Sequence, residues 1–236
     1  LGKEKGDYEY ISPNSHVNMA QSTNDVFPTA VNIALIERLH HLVEQLAMLV
    51  DSLKVKSEEF DDVIKIGRTH LQDAVPIRLG QEFIGYYSVI QRDLERVRRS
   101  MEGLNGLNIG GTSVGTGLNA LPEYAEKVVA YLGEYTGFQL RNSDSLIDAT
   151  QNTDVYTEVS GMLKINALNL SKIANDLRFM SSGPTAGLQE INLPARQSGS
   201  SIMPGKVNPV MCEVVNQIAY QVAGNDTTIS MAAENG

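Results

Sequence analysis

The sequence predicts an all-α protein, a bundle of unusually long helices. In three separate segments apolar residues recur three and four apart over several heptads, and nowhere is there convincing alternation of apolar and polar residues. The stretches rich in glycine, proline and polar side chains fall between those segments rather than inside them.

The first helix is expected from Pro28 to about Phe60. Leu35, Leu42 and Leu49 form one column seven apart, Leu39, Leu46 and Leu53 a second, and Ile36, Val43 and Val50 a third. Columns of that length belong to a helix packed along other helices. At 1.5 Å per residue it would be about 45 Å long. Pro28 suits a first turn, where its missing amide costs nothing, with Asn24 and Asp25 upstream as caps.

The second helix, Arg78–Leu104, carries Leu79, Phe83, Tyr86, Ile90, Leu94, Val97, Met101 and Leu104 in register. The third, Thr150–Ser182, carries Val155, Val159, Met162, Asn166, Leu170, Ile173, Leu177 and Met180. Asn166 on that seam implies register control or a water-filled contact. A shorter helix is expected over Glu123 to Gly133, and another from near Pro209 to about Ala223. The three long helices should pack nearly antiparallel, with chain reversals at "GRTHLQDAVP" (Gly67–Pro76) and at the glycine-rich "NIGGTSVGTGLNALP" (Asn108–Pro122). The latter contains G-T-G-L-N-A, but an amphipathic helix precedes it where a dinucleotide site needs a strand.

At 236 residues the chain can bury a full core. Its net charge of −9 argues against nucleic acid or an anionic membrane as partner, since both need a basic face. One cysteine, Cys212, excludes an internal disulfide and fits a reducing, cytoplasmic compartment. No run approaches the roughly 18 apolar residues of a membrane span. His16, His40, His41 and His70 show no metal-ligand spacing with cysteine or carboxylate, so no metal is expected. His40 and His41 read as surface or seam-edge residues. Arg92, Arg96, Arg98 and Arg99 alternate with Asp93 and Glu95, which reads as a solvated helix face. The chain begins at Leu1 without methionine and ends in "AAENG", and is expected to be a fragment.

Three polar islands remain at the ends of the long helices: Ser22-Thr23-Asn24, Thr69-His70, and "GSSIMPGKVNP" from Gly199 to Pro209. In the last, Pro204 and Pro209 forbid a continuing helix and the two glycines allow unusual backbone angles. Ser200, Ser201, Lys206 and Asn208 can all handle an anion. Amide and hydroxyl donors at helix ends suit carboxylate binding, Lys206 adds a full positive charge, and histidine is the residue type that moves protons near neutral pH.

These residues carry a family resemblance. "GSSIMPGKVNP" resembles the signature of the aspartase/fumarase superfamily. "VNMAQSTNDVFPTA", "GRTHLQDAVP", "GGTSVGTGLN" and "SSGPTAGLQEINLP" are similar to its other blocks, in the same order, over essentially the whole chain. The resemblance implies a helical homotetramer that eliminates ammonia or water from a dicarboxylate to release fumarate, without metal or organic cofactor. It implies that residues 1–236 are the central helical-bundle domain, lacking the start of the N-terminal domain and the small C-terminal domain. "KVNPVMCEVVNQ", "QSTND", "GLQEINLP" and "GNDTT" resemble the branch acting on L-aspartate, with L-malate/fumarate hydration as the alternative; an inactive, crystallin-like structural member is a third reading.

By the same resemblance Ser200 would be the base that removes the C3 proton, its alkoxide supported by backbone amides of the Ile202–Gly205 turn. Lys206 and Asn208 would hold one carboxylate. Ser22, Thr23 and Asn24 would bind the other carboxylate and the amino group, and Thr69 and His70 would contact the reacting end. Glu213 would partner the histidine. Each site would draw the three islands from three different subunits, and Gly199–Asn208 would close as a lid over bound substrate.

Overall fold

The computed structural model describes residues 2–236. They form two compact units, one from the residues up to His40, Met101–Val155 and Ala233–Gly236, the other from His41–Ser100 and Tyr156–Ala232. A π-helical turn, Pro13–Val17, is followed by α1 (Thr23–Glu59), β1 (Ile64–Thr69), β2 (Gln72–Arg78), α2 (Leu79–Leu104), β3 (Gly106–Leu107), α3 (Tyr124–Thr136), β4 (Arg141–Asn142), α4 (Leu146–Gln151), α5 (Asp154–Met180) and α6 (Val210–Ala233). The all-α class is borne out, with four short strands added.

The heptad columns become the core. Leu39, Leu46 and Leu53 are buried along α1, whereas Leu35, Leu42 and Leu49 are only half-buried. All eight seam residues of α2 are buried, each worth about 1.5–3 kcal/mol relative to exposure. In the second unit, cross-helix contacts fix direction. Tyr86 meets Asp176 and Asp93 meets Asn169 and Asn166, so α2 and α5 run antiparallel. Asn216 meets Ser171 and Asp226 meets Ser160, so α5 and α6 do the same.

The solvated face expected around Asp93 is a correction. Asp93 is 1% exposed. It accepts from Arg96 at 2.7 Å, from Asn169 at 2.9 and 3.0 Å, and from Asn166 at 3.3 Å. Asn166 on the seam is therefore a hydrogen-bond donor to a buried carboxylate, which fixes the register of α2 on α5. Helix α6 runs past Ala223 to Ala233 because its polar stretch is satisfied. Asp226 is buried, accepts from Ser160 at 2.8 Å and pairs with Lys164. Thr227 and Thr228 donate to the carbonyls four residues back.

In the first unit, α1 starts at Thr23, not at Pro28, so the proline lies inside the helix. Pro28 has no N–H for the carbonyl of Asn24. Asn108 supplies the missing donor, its side-chain amide reaching that oxygen at 2.9 Å. The glycine-rich segment wraps the same helix start. Gly110, at φ +92°, passes so close to Ala125 that a Cβ would lie 2.5 Å from the alanine Cβ. Gly115, at φ +87°, would collide with the Ile147 backbone at 2.4 Å. Both positions require glycine. Leu107, Ile109 and Val129 form a buried cluster beside this segment.

Asp25 binds these parts together. It is fully buried; one carboxylate oxygen accepts from Gly110 N at 3.1 Å and Thr112 N at 2.9 Å, the other from Ser22 N at 2.9 Å. Asp25→Ala would leave the buried Gly110 and Thr112 amides and the half-buried Ser22 amide without this acceptor. Chemical denaturation should show a loss of about 3 kcal/mol or more, with Asp25→Asn losing less because one oxygen remains.

The polar break at "GRTHLQDAVP" is a β-hairpin. Ile64 pairs with Arg78 and Thr69 with Gln72, with an irregularity in register between Ile66 and Arg68. Pro76 is tolerated because every strand of a two-stranded sheet has a free edge. β2 is almost wholly exposed, so no apolar alternation marks it.

Candidate active site

Ser22-Thr23-Asn24 opens α1 in the first unit. Ser22 Oγ accepts the Asn24 amide at 3.1 Å while its own N–H donates to Asp25, a reciprocal helix cap. Asn24 donates its side-chain amide to Ser113 O at 2.8 Å. Ser22 and Thr23 also line a cavity of about 480 Å³ with Asn14, Asn18 and Gln21. The island thus combines a structural cap with polar groups on an open surface.

Thr69 and His70 sit at the tip of the β1–β2 hairpin in the second unit, both exposed. The turn is two residues long, and His70 (φ +54°) and Leu71 (φ +61°) both occupy the left-handed region. Such turns favour Asn-Gly, and holding side-chain-bearing residues there costs about 1–2 kcal/mol each. His70 lines a cavity of about 680 Å³ with Lys65, Arg68, Glu82, Tyr86 and Asp176. Burial, reinforced by the Asp176 carboxylate, pushes the Tyr86 phenol well above its ordinary range, so it stays neutral and donates to Asp176 at 3.1 Å.

The third island is a folded loop. Gly199 N donates to Lys206 O at 2.8 Å and closes it; a Cβ on Gly199 would meet that oxygen at 2.7 Å. Lys206 N donates to Met203 O at 3.2 Å. Within this turn the amides of Ile202 and Met203 both point at Ser200 Oγ, at 3.2 and 3.1 Å. Two convergent N–H donors on one hydroxyl oxygen favour negative charge there. Lys206, Asn208 and Glu213 line a cavity of about 910 Å³ with Arg178 and Asn192, and Arg178 lies 4.0 Å from Glu213. His70 and Glu213 line different cavities of the same unit. Cys212, beside Glu213, is buried, and burial raises its thiol pKa, so it is not an activated nucleophile.

Sequence reasoning passed over Arg68 and Glu190, which form a two-pronged ion pair, and Arg178, which donates to Asn216 at 2.9 Å. Arg68 and Glu190 lie inside motifs that stood out for other residues. Their partnership spans 122 positions and leaves no local spacing to read.

The family described as Lyase matches residues 1–224. Aspartate ammonia-lyase from Bacillus subtilis (strain 168) is 60% identical over all 236 residues, that from Helicobacter pylori (strain ATCC 700392 / 26695) 52%, and that from Escherichia coli (strain K12) 50%. The chain is covered completely in each case and spans about half the length of these relatives: 50%, 50% and 49%. Among solved structures, fumarate lyase:delta crystallin from Brucella melitensis bound to cobalt matches all of this chain and 51% of its own, at 50% identity and a TM-score of 0.96. Recombinant class II fumarase from Schistosoma mansoni matches 96% of this chain and 51% of its own, at 39% identity and a TM-score of 0.94. The chain belongs to this lyase family, within the aspartase/fumarase superfamily expected from its signature.

Proposed function

We propose that this chain carries the central domain of an ammonia-lyase that converts L-aspartate to fumarate and ammonia. One observation supports it above the others: Ser200 Oγ receives the amides of Ile202 and Met203. A free serine hydroxyl is a poor base, and an alkoxide needs this kind of support. Ser200 would take the C3 proton as charge spreads onto the neighbouring carboxylate to give an aci-carboxylate. The C2–N bond then breaks, its electron pair leaving with nitrogen. Lys206 and Asn208 would hold the carboxylate on which charge develops. Ser22, Thr23 and Asn24 would hold the second carboxylate and the amine, Thr69 and His70 would face the reacting end, and Glu213 would orient His70.

The assembly proposed is a homotetramer with shared sites. His70 and Glu213 line different cavities of one unit, and a site built from several copies of the chain is where they would meet. Helix α6 leaves Met211, Val214, Ile218 and Ile229 exposed. Their successive spacings of three, four and eleven make one apolar stripe that a neighbouring helix can cover.

L-Aspartate is preferred over L-malate because relatives at 50–60% identity are named for aspartate, whereas the fumarase structure is 39% identical. Ultraviolet absorbance of fumarate decides between them. The full-length protein should release it from L-aspartate far faster than from L-malate; the reverse preference would make it a hydratase, and release from neither a structural protein.

A further inference from the structure

We propose that Glu190 is a positioning residue for the Thr69–His70 turn, acting through Arg68 and Lys65 at the base of the hairpin. The inference rests on the ammonia-lyase reading and deepens it.

The cluster is short-range and largely shielded. Glu190 takes Arg68 on both carboxylate oxygens, at 3.0 and 2.5 Å. Lys65 Nζ lies 3.3 Å from Glu190 and donates to Glu82 at 2.9 Å. The Lys65, Arg68 and Glu190 side chains are only 7%, 13% and 15% exposed. Asp73, an exposed carboxylate, adds only a contact 3.8 Å from Arg68, so removing Glu190 takes away the shielded partner that both cations share. Hydrogen bonding from Arg68, with Lys65 in support, holds the Glu190 carboxyl below the usual carboxylate range. Glu190 is itself anchored: its amide donates to Met180 O at 2.8 Å, and that of Gln189 to Ser182 O at 2.9 Å. It is therefore a fixed post at the end of α5, nine residues before the serine loop begins at Gly199.

The hairpin needs such a post. Its tip holds two side-chain-bearing residues at positive φ, a turn with a standing tendency to relax. Its ladder is already irregular between Ile66 and Arg68. A slip of one residue would turn every following side chain, His70 included, to the opposite face. Arg68 lies just after the irregularity and two residues before His70. The two-pronged guanidinium–carboxylate contact fixes orientation as well as distance, so it locks the register where a slip would start. Arg68 also stacks over Phe179, 5.7 Å from its centroid.

The test uses the full-length protein with L-aspartate as substrate. Glu190→Gln removes the charge and keeps the shape; Arg68→Lys keeps the charge and removes the fork. Each should lower kcat roughly 10- to 100-fold, the scale of a misplaced catalytic group, with KM changing far less and the circular dichroism spectrum retained. The double variant should be no slower than the slower single, because both lose one restraint. Unchanged kcat with only a lower melting temperature would overturn the proposal, as would losses that multiply. If Glu190→Gln fails to fold, Arg68→Lys carries the same test; if neither folds, the cluster is structural and the proposal falls. A wild-type protein that releases no fumarate from L-aspartate overturns the ammonia-lyase reading instead, and that arm is read first.

Discussion

Ser200→Ala in the full-length enzyme should lower turnover on L-aspartate at least about a hundredfold, the scale of losing a general base, while substrate binding stays largely intact. The geometry gives the reason. Ser200 Oγ already accepts two amide hydrogens, from Ile202 and Met203, so the oxygen is prepared for charge before substrate arrives. Alanine leaves those two amides in place with nothing to stabilise. The carboxylate contacts proposed for Lys206 and Asn208 are untouched, so KM, where it tracks binding, should move little. The proposed closing of Gly199–Asn208 over the substrate adds to the effect, because a lid that excludes water strengthens every charge interaction beneath it. Steady-state kinetics with L-aspartate, together with binding of a non-reacting dicarboxylate, separates the two quantities. Near-normal turnover in Ser200→Ala would place the base elsewhere, with His70 the next residue to test.

Lys206→Ala should act differently. Its ammonium would hold a substrate carboxylate both in the ground state and as charge grows on it. A charged hydrogen bond is worth about 1.5–3 kcal/mol, so kcat/KM should fall roughly 10- to 150-fold, with a clear rise in KM. The loop itself should survive, since its closure uses the Lys206 backbone and not the side chain. A Lys206→Ala enzyme with unchanged KM would remove Lys206 from the binding site.

What could be read from the sequence follows from what is periodic. The seam of α2 is written at spacings of three and four, and every one of its eight residues is buried. The Gly199–Pro209 loop was legible through its composition, because two prolines interrupt a helix and two glycines allow unusual backbone angles. The hairpin was not: β2 is exposed along nearly its whole length, so its residues never had to alternate. The start of α1 was missed because Pro28 reads as an N-terminal marker. Asn108, 84 residues from Asn24, supplies the hydrogen bond that Pro28 cannot make, and the helix begins earlier. Asp93 misled for the opposite reason: its arginine neighbours suggest solvent, while its other partners, Asn166 and Asn169, come from a helix more than 70 positions away. The Arg68–Glu190 pair belongs with these, as a long-range pairing with no local mark.

Mixing two inactive variants tests most directly the claim that islands from different copies make one elimination site. Full-length Ser200→Ala and His70→Ala should each be nearly inactive alone. When their subunits are dissociated together and reassembled, some sites should receive Ser200 from one parent and His70 from the other. Random mixing in equal amounts then restores both residues at roughly a quarter of the sites, and fumarate release from L-aspartate should return to about that fraction of wild type. Hybrid assemblies that form and stay as inactive as their parents would show that Ser200 and His70 do not serve one site from separate subunits.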